Sequence, residues 1–288
     1  VQLARNLSAY WNPHDPLMDS GLNRTPGYPL LIATVFALGG ENVGNVIGIQ
    51  ILLFLGSIYL TYRIGKRLSG PLCGSVAAFV LALNPESNVF TIYLMNETLF
   101  TTVLLAATWV WLIALDQPHK RWAFVSGLLI GAATLIRPAG MYLPLLLAPP
   151  FLLGSQRFSQ KCAQAALFVA GVAFPVGSWM THHYSLTGTA FVTTVQSKDM
   201  LYFRAAGAMA EEQNVHRWVA ATVLAERLWE PYGIRVNVAE RQQLTHAIRH
   251  SNHTWINQCF DRHIPSERIA EVNSYRLAGG EKRLAIQT

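Results

Sequence analysis

Charge is what this sequence has least of. Only 13% of its 288 residues are Asp, Glu, Lys or Arg, against 51% apolar, and the mean hydropathy is positive at +0.26. Such scarcity excludes an ordinary soluble globular domain and points to a polytopic membrane protein with a polar appendage. Cysteine is scarce too: Cys73, Cys162 and Cys259 stand apart, two of them in apolar runs, which excludes a disulfide framework or a thiolate metal cluster. The net charge of +6 is spread over loops and tail, without a Lys/Arg block or aromatic interleaving, so nucleic acid is excluded as a partner. No signal peptide is visible and the chain starts at Val1, so its true N-terminus is expected upstream.

What is present is a helical hairpin. Residues 98–115 (TLFTTVLLAATWVWLIAL) carry no charge and have about the length needed to cross a hydrocarbon core of roughly 30 Å. The polar turn Asp116-Gln117-Pro118-His119-Lys120-Arg121 follows. Residues 122–136 (WAFVSGLLIGAATLI) run back, uncharged, with Gly127 and Gly131 spaced for close helix contact. Glu97 precedes the first helix and Arg137 follows the second, so the hairpin brings an acid and a base to one membrane surface.

Around the hairpin the apolar runs fall in sequence. Residues 1–23 are polar and aromatic-spotted, helical only at the start, and Pro13, Pro16 and the Asp19-Ser20-Gly21 cluster break them into loop. Residues 30–38 are too short to span and read as re-entrant or interfacial. Candidate spans are 46–62, 71–83, the two arms of the hairpin, 139–153 (interrupted by Pro144, Pro149 and Pro150) and 162–180. This predicts an all-α polytopic membrane protein: an external loop with interfacial helices over 1–40, a transmembrane helix bundle over 41–181, and an external, mainly helical soluble segment over 182–288, expected to be truncated.

Lys and Arg set the orientation. Arg63, Lys66 and Arg67, then Lys120 and Arg121, then Arg157 and Lys161 occupy alternate turns, which are assigned to the cytoplasm. Residues 84–97 hold no Lys or Arg and fall on the other side. On that external surface converge Asp15, Asp19, Arg24, Tyr28, Glu86, Glu97 and Arg137. Arginine grips phosphate oxygens in a bidentate fashion, and a carboxylate beside it can act as general base on an acceptor hydroxyl or hold a divalent ion. The blander alternative is that Arg24 and Arg137 pair with Glu97 or Asp19 and merely fix helix ends.

Three stretches in this order carry a resemblance: Arg24-Thr25-Pro26-Gly27-Tyr28-Pro29, Met95-Asn96-Glu97, and Gly127 through Arg137-Pro138. Over roughly residues 1–205 the chain resembles the polyprenyl-phosphate-sugar-dependent glycosyltransferases of the GT-C fold. Within these it is similar to the bacterial branch related to protein O-mannosyltransferases and lipid A aminoarabinose transferases. The resemblance implies a multi-pass enzyme of the cell (inner) membrane, its active site facing the external, periplasmic side. It would move a sugar from a polyprenyl-phosphate donor to a protein, lipid or glycan acceptor. It also implies a catalytic acid early in the first external loop, after a first transmembrane helix that this chain lacks. Asp15 and Asp19 sit nearer the end of that loop, and a fragment without the leading acid is the simplest expectation. Glu97 matches a second acidic position, while Arg24 and Arg137, with Tyr28, fall where a role near the donor phosphate is implied.

In the tail, 220–229 and 240–256 show helix periodicity around a Pro231-Tyr232-Gly233 break. His182, His183, His246, His250 and His253 invite a metal reading, but no HExxH signature or carboxylate set accompanies them, and solvated histidines are the better reading. Two rival functions remain: a transporter or flippase, which calls for midspan charges and related halves that are not found, and a non-catalytic scaffold subunit.

Overall fold

The computed structural model describes residues 2–5, 7, 24–116, 120–153, 157–187, 190–193, 200–229, 242–243 and 246. Among them every regular element is helical, as the apolar runs require. The chain divides into two compact units: one of residues 1–11 and 25–181, the other of residues 12–24 and 182–288.

The first unit begins with a short α1 (Gln2–Arg5) and α2 (Gly27–Gly39). Next come α3 (Val43–Ser69), α4 (Pro71–Leu83) and α5 (Pro85–Ile92). Local chemistry sets these boundaries. Asn42 caps α3 by accepting the Gly44 N–H at 2.8 Å. Gly70, at φ +91°, ends α3 in a conformation that side-chain-bearing residues avoid, and Pro71 restarts the chain as α4. Asn84 then caps α5 through the Ser87 N–H at 2.8 Å.

The hairpin is α6 (Glu97–Asp116) and α7 (Lys120–Ile136), within a residue or two of the predicted limits. Small residues line its inner face. Ala107 and Ala114 of α6 and Ala123 and Ile130 of α7 are fully buried with Phe151 and Phe168, the packing expected where lipid offers helices no hydrophobic incentive to associate. After Pro138 the predicted fifth span breaks into pieces: a 3-10 turn (Pro138–Tyr142), α8 (Leu143–Leu147) and a second 3-10 turn (Pro149–Leu152). Pro144, Pro149 and Pro150 remove the N–H groups that a continuous helix needs. The Phe151 N–H turns to the Ala148 carbonyl at 3.2 Å, and the Leu147 carbonyl accepts the Trp111 indole N–H at 2.8 Å instead.

The last long helix, α9 (Phe158–Thr187), contains Pro175 and packs on α7 through the glycines. A Cβ at Gly127 would strike the Phe168 carbonyl, one at Gly131 the Pro175 ring, and one at Gly171 the Phe124 carbonyl. Gly127 and Gly131 thus serve contact with α9 rather than with their hairpin partner. As 127 faces 168–171 and 131 faces 172–175, the two helices run parallel.

Among the described residues three helices are long and apolar enough to cross a membrane: Val43–Ser69, Glu97–Asp116 and Phe158–Ser185. Their outward faces keep Leu52, Leu55 and Phe174 exposed, and α4 leaves Leu72, Phe79 and Leu83 uncovered. Apolar surface of this extent marks faces covered by lipid or by another protein.

In the second unit a π-helical turn (Met200–Ala205) leads into α10 (Ala206–Gln213) and α11 (Arg217–Trp229). Asn214, at φ +50°, closes α10. Ala206, Met209, Ala221 and Leu224 are buried, and Arg217 lies over both the Phe203 and Trp218 rings. The helix predicted over 240–256 lies outside the described residues except at 242, 243 and 246.

Candidate functional site: an arginine–carboxylate pair at the open end of the hairpin

The site grows from the way α7 ends. Pro138 forces the residue before it out of the helical region, and Arg137 accordingly adopts φ −142°, ψ 121°, which turns it off the helix axis. Gly140 bonds back to the Arg137 carbonyl at 3.0 Å, so the Ile136 carbonyl loses its helical donor. Two side chains replace it. The Thr25 hydroxyl and the Asn96 amide each donate to that carbonyl at 3.0 Å, tying the start of α2 and the start of α6 to the end of α7. Gly27 completes the junction, since a Cβ there would lie 2.7 Å from Ile136 Cγ1 and 2.8 Å from the Leu135 carbonyl.

Asn96 thereby fixes its neighbour. Glu97 opens α6, where the positive end of the helix favours a carboxylate, and its Oε1 accepts from Arg137 Nη1 at 3.0 Å. The acid is only 20% exposed and the arginine 45%. Glu97 Oε2 is buried and has no hydrogen-bond partner. A desolvated carboxylate oxygen costs stability unless it gains a donor or a proton. Arg137 uses one donor of its five-donor fork on Glu97 and is open enough to offer others to a bound group.

Tyr28, in the first turn of α2, belongs to the same cluster. Burial first, and then the Glu97 carboxylate, push its phenol from 10.0 up to about 12, so it stands as a neutral donor. Its hydroxyl donates to Gln50 Oε1 at 3.2 Å. Fully buried Gln50 in turn donates to the carbonyls of Tyr93 at 2.9 Å and Phe90 at 3.3 Å, and the Thr98 hydroxyl shares the Phe90 carbonyl at 3.2 Å. One glutamine therefore links α2, α3 and the segment leading to Glu97.

Of the six residues predicted for the site, the structure gathers Tyr28, Glu97 and Arg137. Arg24 is exposed and belongs to the second compact unit. Asp15 and Asp19 lie outside the described residues. Gln50 was missed, although a lone amide in the apolar run 46–62 was a visible signal, since polar groups inside spans are expensive and retained for a reason. Among the described residues no three His, Cys, Asp or Glu side chains gather to hold a metal ion.

An all-helical bundle with membrane-length apolar helices and an arginine–carboxylate site at one end of its hairpin defines an integral membrane protein with charged chemistry at the bilayer boundary. Residues 23–179, more than half the chain, match the family model of the dolichyl-phosphate-mannose-protein mannosyltransferases. The chain belongs to that family and is a membrane glycosyltransferase of the GT-C type. No curated protein and no solved structure matches it.

Proposed function

We propose that the protein transfers a sugar from a polyprenyl-phosphate donor to a hydroxyl-bearing acceptor (protein, lipid or glycan) on the external, periplasmic face of the inner membrane. The Glu97–Arg137 pair carries this reading. It couples a phosphate-gripping guanidinium to a partly buried carboxylate with one oxygen unsatisfied, at the end of the bundle opposite Lys120 and Arg121.

In the transfer, the acceptor oxygen attacks the anomeric carbon and the bond from that carbon to the phosphate oxygen breaks. Polyprenyl phosphate leaves with the electron pair, and the acceptor proton passes to a carboxylate. Arg137 holds the donor phosphate and neutralises the charge that grows on it. Glu97 aims Arg137 through Oε1 and presents Oε2 to the acceptor hydroxyl or its proton. Tyr28, a neutral phenol, donates toward the same charge. The family resemblance also names Arg24 as a candidate for a phosphate contact and Asp15 and Asp19, in the first external loop, as candidates for the base. Among the described residues Glu97 is the one carboxylate at this site and no metal-ligand trio gathers, so no step is routed through a divalent cation.

The test is transfer of labelled sugar from polyprenyl-phosphate donors in membranes holding the complete gene product. Glu97→Gln and Arg137→Ala are compared with the parent at matched levels of folded protein. Loss of transfer in both supports the reading. Activity that survives both changes moves the site elsewhere, and an absence of transfer by the parent across a panel of donors and acceptors favours the scaffold reading.

A further inference from the structure

We infer that the end of the hairpin opposite Glu97 and Arg137 binds the phosphate of an anionic phospholipid headgroup, between the starts of α7 and α9. The inference is independent of the transfer reaction.

The register of the two helices locates the site. Gly127 meets Phe168 and Gly171, so one turn earlier Gln164 stands at the level of Ala123 and Trp122. Gln164 is 2% exposed, and its amide nitrogen has no hydrogen-bond partner. The Trp122 indole nitrogen at the same level is also buried and without a partner. Both open atoms are donors. Buried donors are almost always satisfied, so two at one level ask for an acceptor that the chain itself does not provide.

The surrounding charge says what kind of acceptor. Lys120 and Arg121 open α7, while Arg157 and Lys161 flank the start of α9. Cations in the first turn of a helix oppose its macrodipole, and here two parallel helices begin side by side, each with unsatisfied N–H groups and a positive end. An anion between them offsets the repulsion, since helix N-termini are natural phosphate sites. Among the described residues no acid does this. Asp116, the nearest carboxylate in sequence, pairs with Arg67, whose guanidinium also lies 5.4 Å from the Trp109 ring. Among the described residues Lys120, Arg121, Arg157 and Lys161 have no carboxylate partner. Arg121 is held over the Trp122 ring at 5.1 Å, which fixes a charge beside an open donor.

The phosphate belongs to a lipid rather than to the solution because apolar surface flanks the cations. Phe158 is 77% exposed and Leu153 84%, a face suited to acyl chains, and basic pockets between membrane helices are known receivers of anionic headgroups.

The experiment places the full chain in nanodiscs of phosphatidylcholine with phosphatidylglycerol and counts retained phosphatidylglycerol by native mass spectrometry. The parent is expected to retain it in preference to phosphatidylcholine. Lys161→Gln should reduce retention about fivefold, the effect of one cation near an anionic surface. Gln164→Leu and Trp122→Phe, which remove single donors without removing charge, should also reduce it. Arg63→Gln, which removes a charge elsewhere, should leave it unchanged. Thermal unfolding adds a second reading that any folded variant supplies: phosphatidylglycerol should raise the midpoint of the parent more than that of Gln164→Leu. Equal retention in the parent, Gln164→Leu and Lys161→Gln overturns the site. Displacement of the lipid by millimolar glycerol phosphate overturns its assignment to a membrane-borne ligand.

Discussion

The hairpin carries an arginine–carboxylate pair at each end, and the two differ in almost everything except their chemistry. At the closed end, Asp116 is 65% exposed and Arg67 27%. Arg67 also bonds the Leu112 carbonyl and stacks on Trp109, so it would hold its place without the acid. At the open end the burial is reversed: Glu97 is the more enclosed partner and Arg137 the more open. The neighbours of that pair are pinned by Thr25, Asn96 and, through Tyr28, by Gln50. An exposed acid on a well-held arginine is an interfacial anchor. A partly buried acid holding an arginine that still faces outward suits the proposed role, in which the carboxylate aims the cation at the donor phosphate.

Breaking both ends at once gives the largest effect. Gly127 meets the backbone of Phe168 and Gly171, so Gly127→Leu drives α7 away from α9. Neither helix can yield by a rotamer change, and overpacking of this kind costs several kcal/mol where backbone is the obstacle. The expected outcome is no monodisperse protein after detergent extraction, whereas Gly177→Ala, a position with open space around it, should extract like the parent.

Separating the ends comes next. Arg137→Ala removes the guanidinium from the developing phosphate charge and should lower transfer by about 10²–10³-fold, the usual consequence of losing one such donor. Asp116→Asn should change transfer less than about twofold and stability by no more than ~1 kcal/mol, as for other exposed pairs. If initial-rate assays on the two variants gave similar losses, the functional distinction between the ends would be wrong.

Much of this contrast was legible in the sequence. Uncharged runs of spanning length and a six-residue polar turn placed Glu97 and Arg137 at one end, because helix rise and hairpin topology leave no other arrangement. Gly127 and Gly131 were readable as contact residues, but their partner was not, since spacing shows that a face is smooth without showing what lies on it. Residues 139–153 read as a single run by hydropathy, and their three prolines divide it. Gln50 escaped because its role depends on carbonyls forty and forty-three residues away. Such a partner is fixed by packing alone.

Gln50→Leu sharpens the account of the open end. It deletes three hydrogen bonds between helices, worth about 2 kcal/mol at ~0.6 kcal/mol each, while the apolar side chain fits the surrounding span. Gln50 touches no substrate in this scheme and acts by positioning Tyr28 and the approach to Glu97. Transfer should therefore fall roughly tenfold, the scale of a small misplacement, chiefly in kcat with KM for the donor little changed. A loss confined to KM would mean that the amide contacts the donor itself.

The smallest effect is one of pH, and it belongs to the open end alone. The Tyr28 phenol titrates near 12 in the folded protein against 10.0 for an unperturbed tyrosine. Below pH 10 both states keep the proton, and Tyr28 adds no pH dependence. Between pH 10 and about 12 the unfolded chain releases its proton more readily than the folded one, so stability falls as pH rises. Tyr28→Phe cannot titrate. It should lose a little stability at neutral pH, with its bond to Gln50, and then show a shallower decline across that alkaline window. Unfolding midpoints of the reconstituted protein at pH 9 and pH 11 measure the difference, and equal slopes for parent and variant would mean that neither burial nor the Glu97 charge raises the phenol. Asp116→Asn, at the closed end, should leave this alkaline slope as it is in the parent, because burial first and then the Glu97 charge raise the phenol.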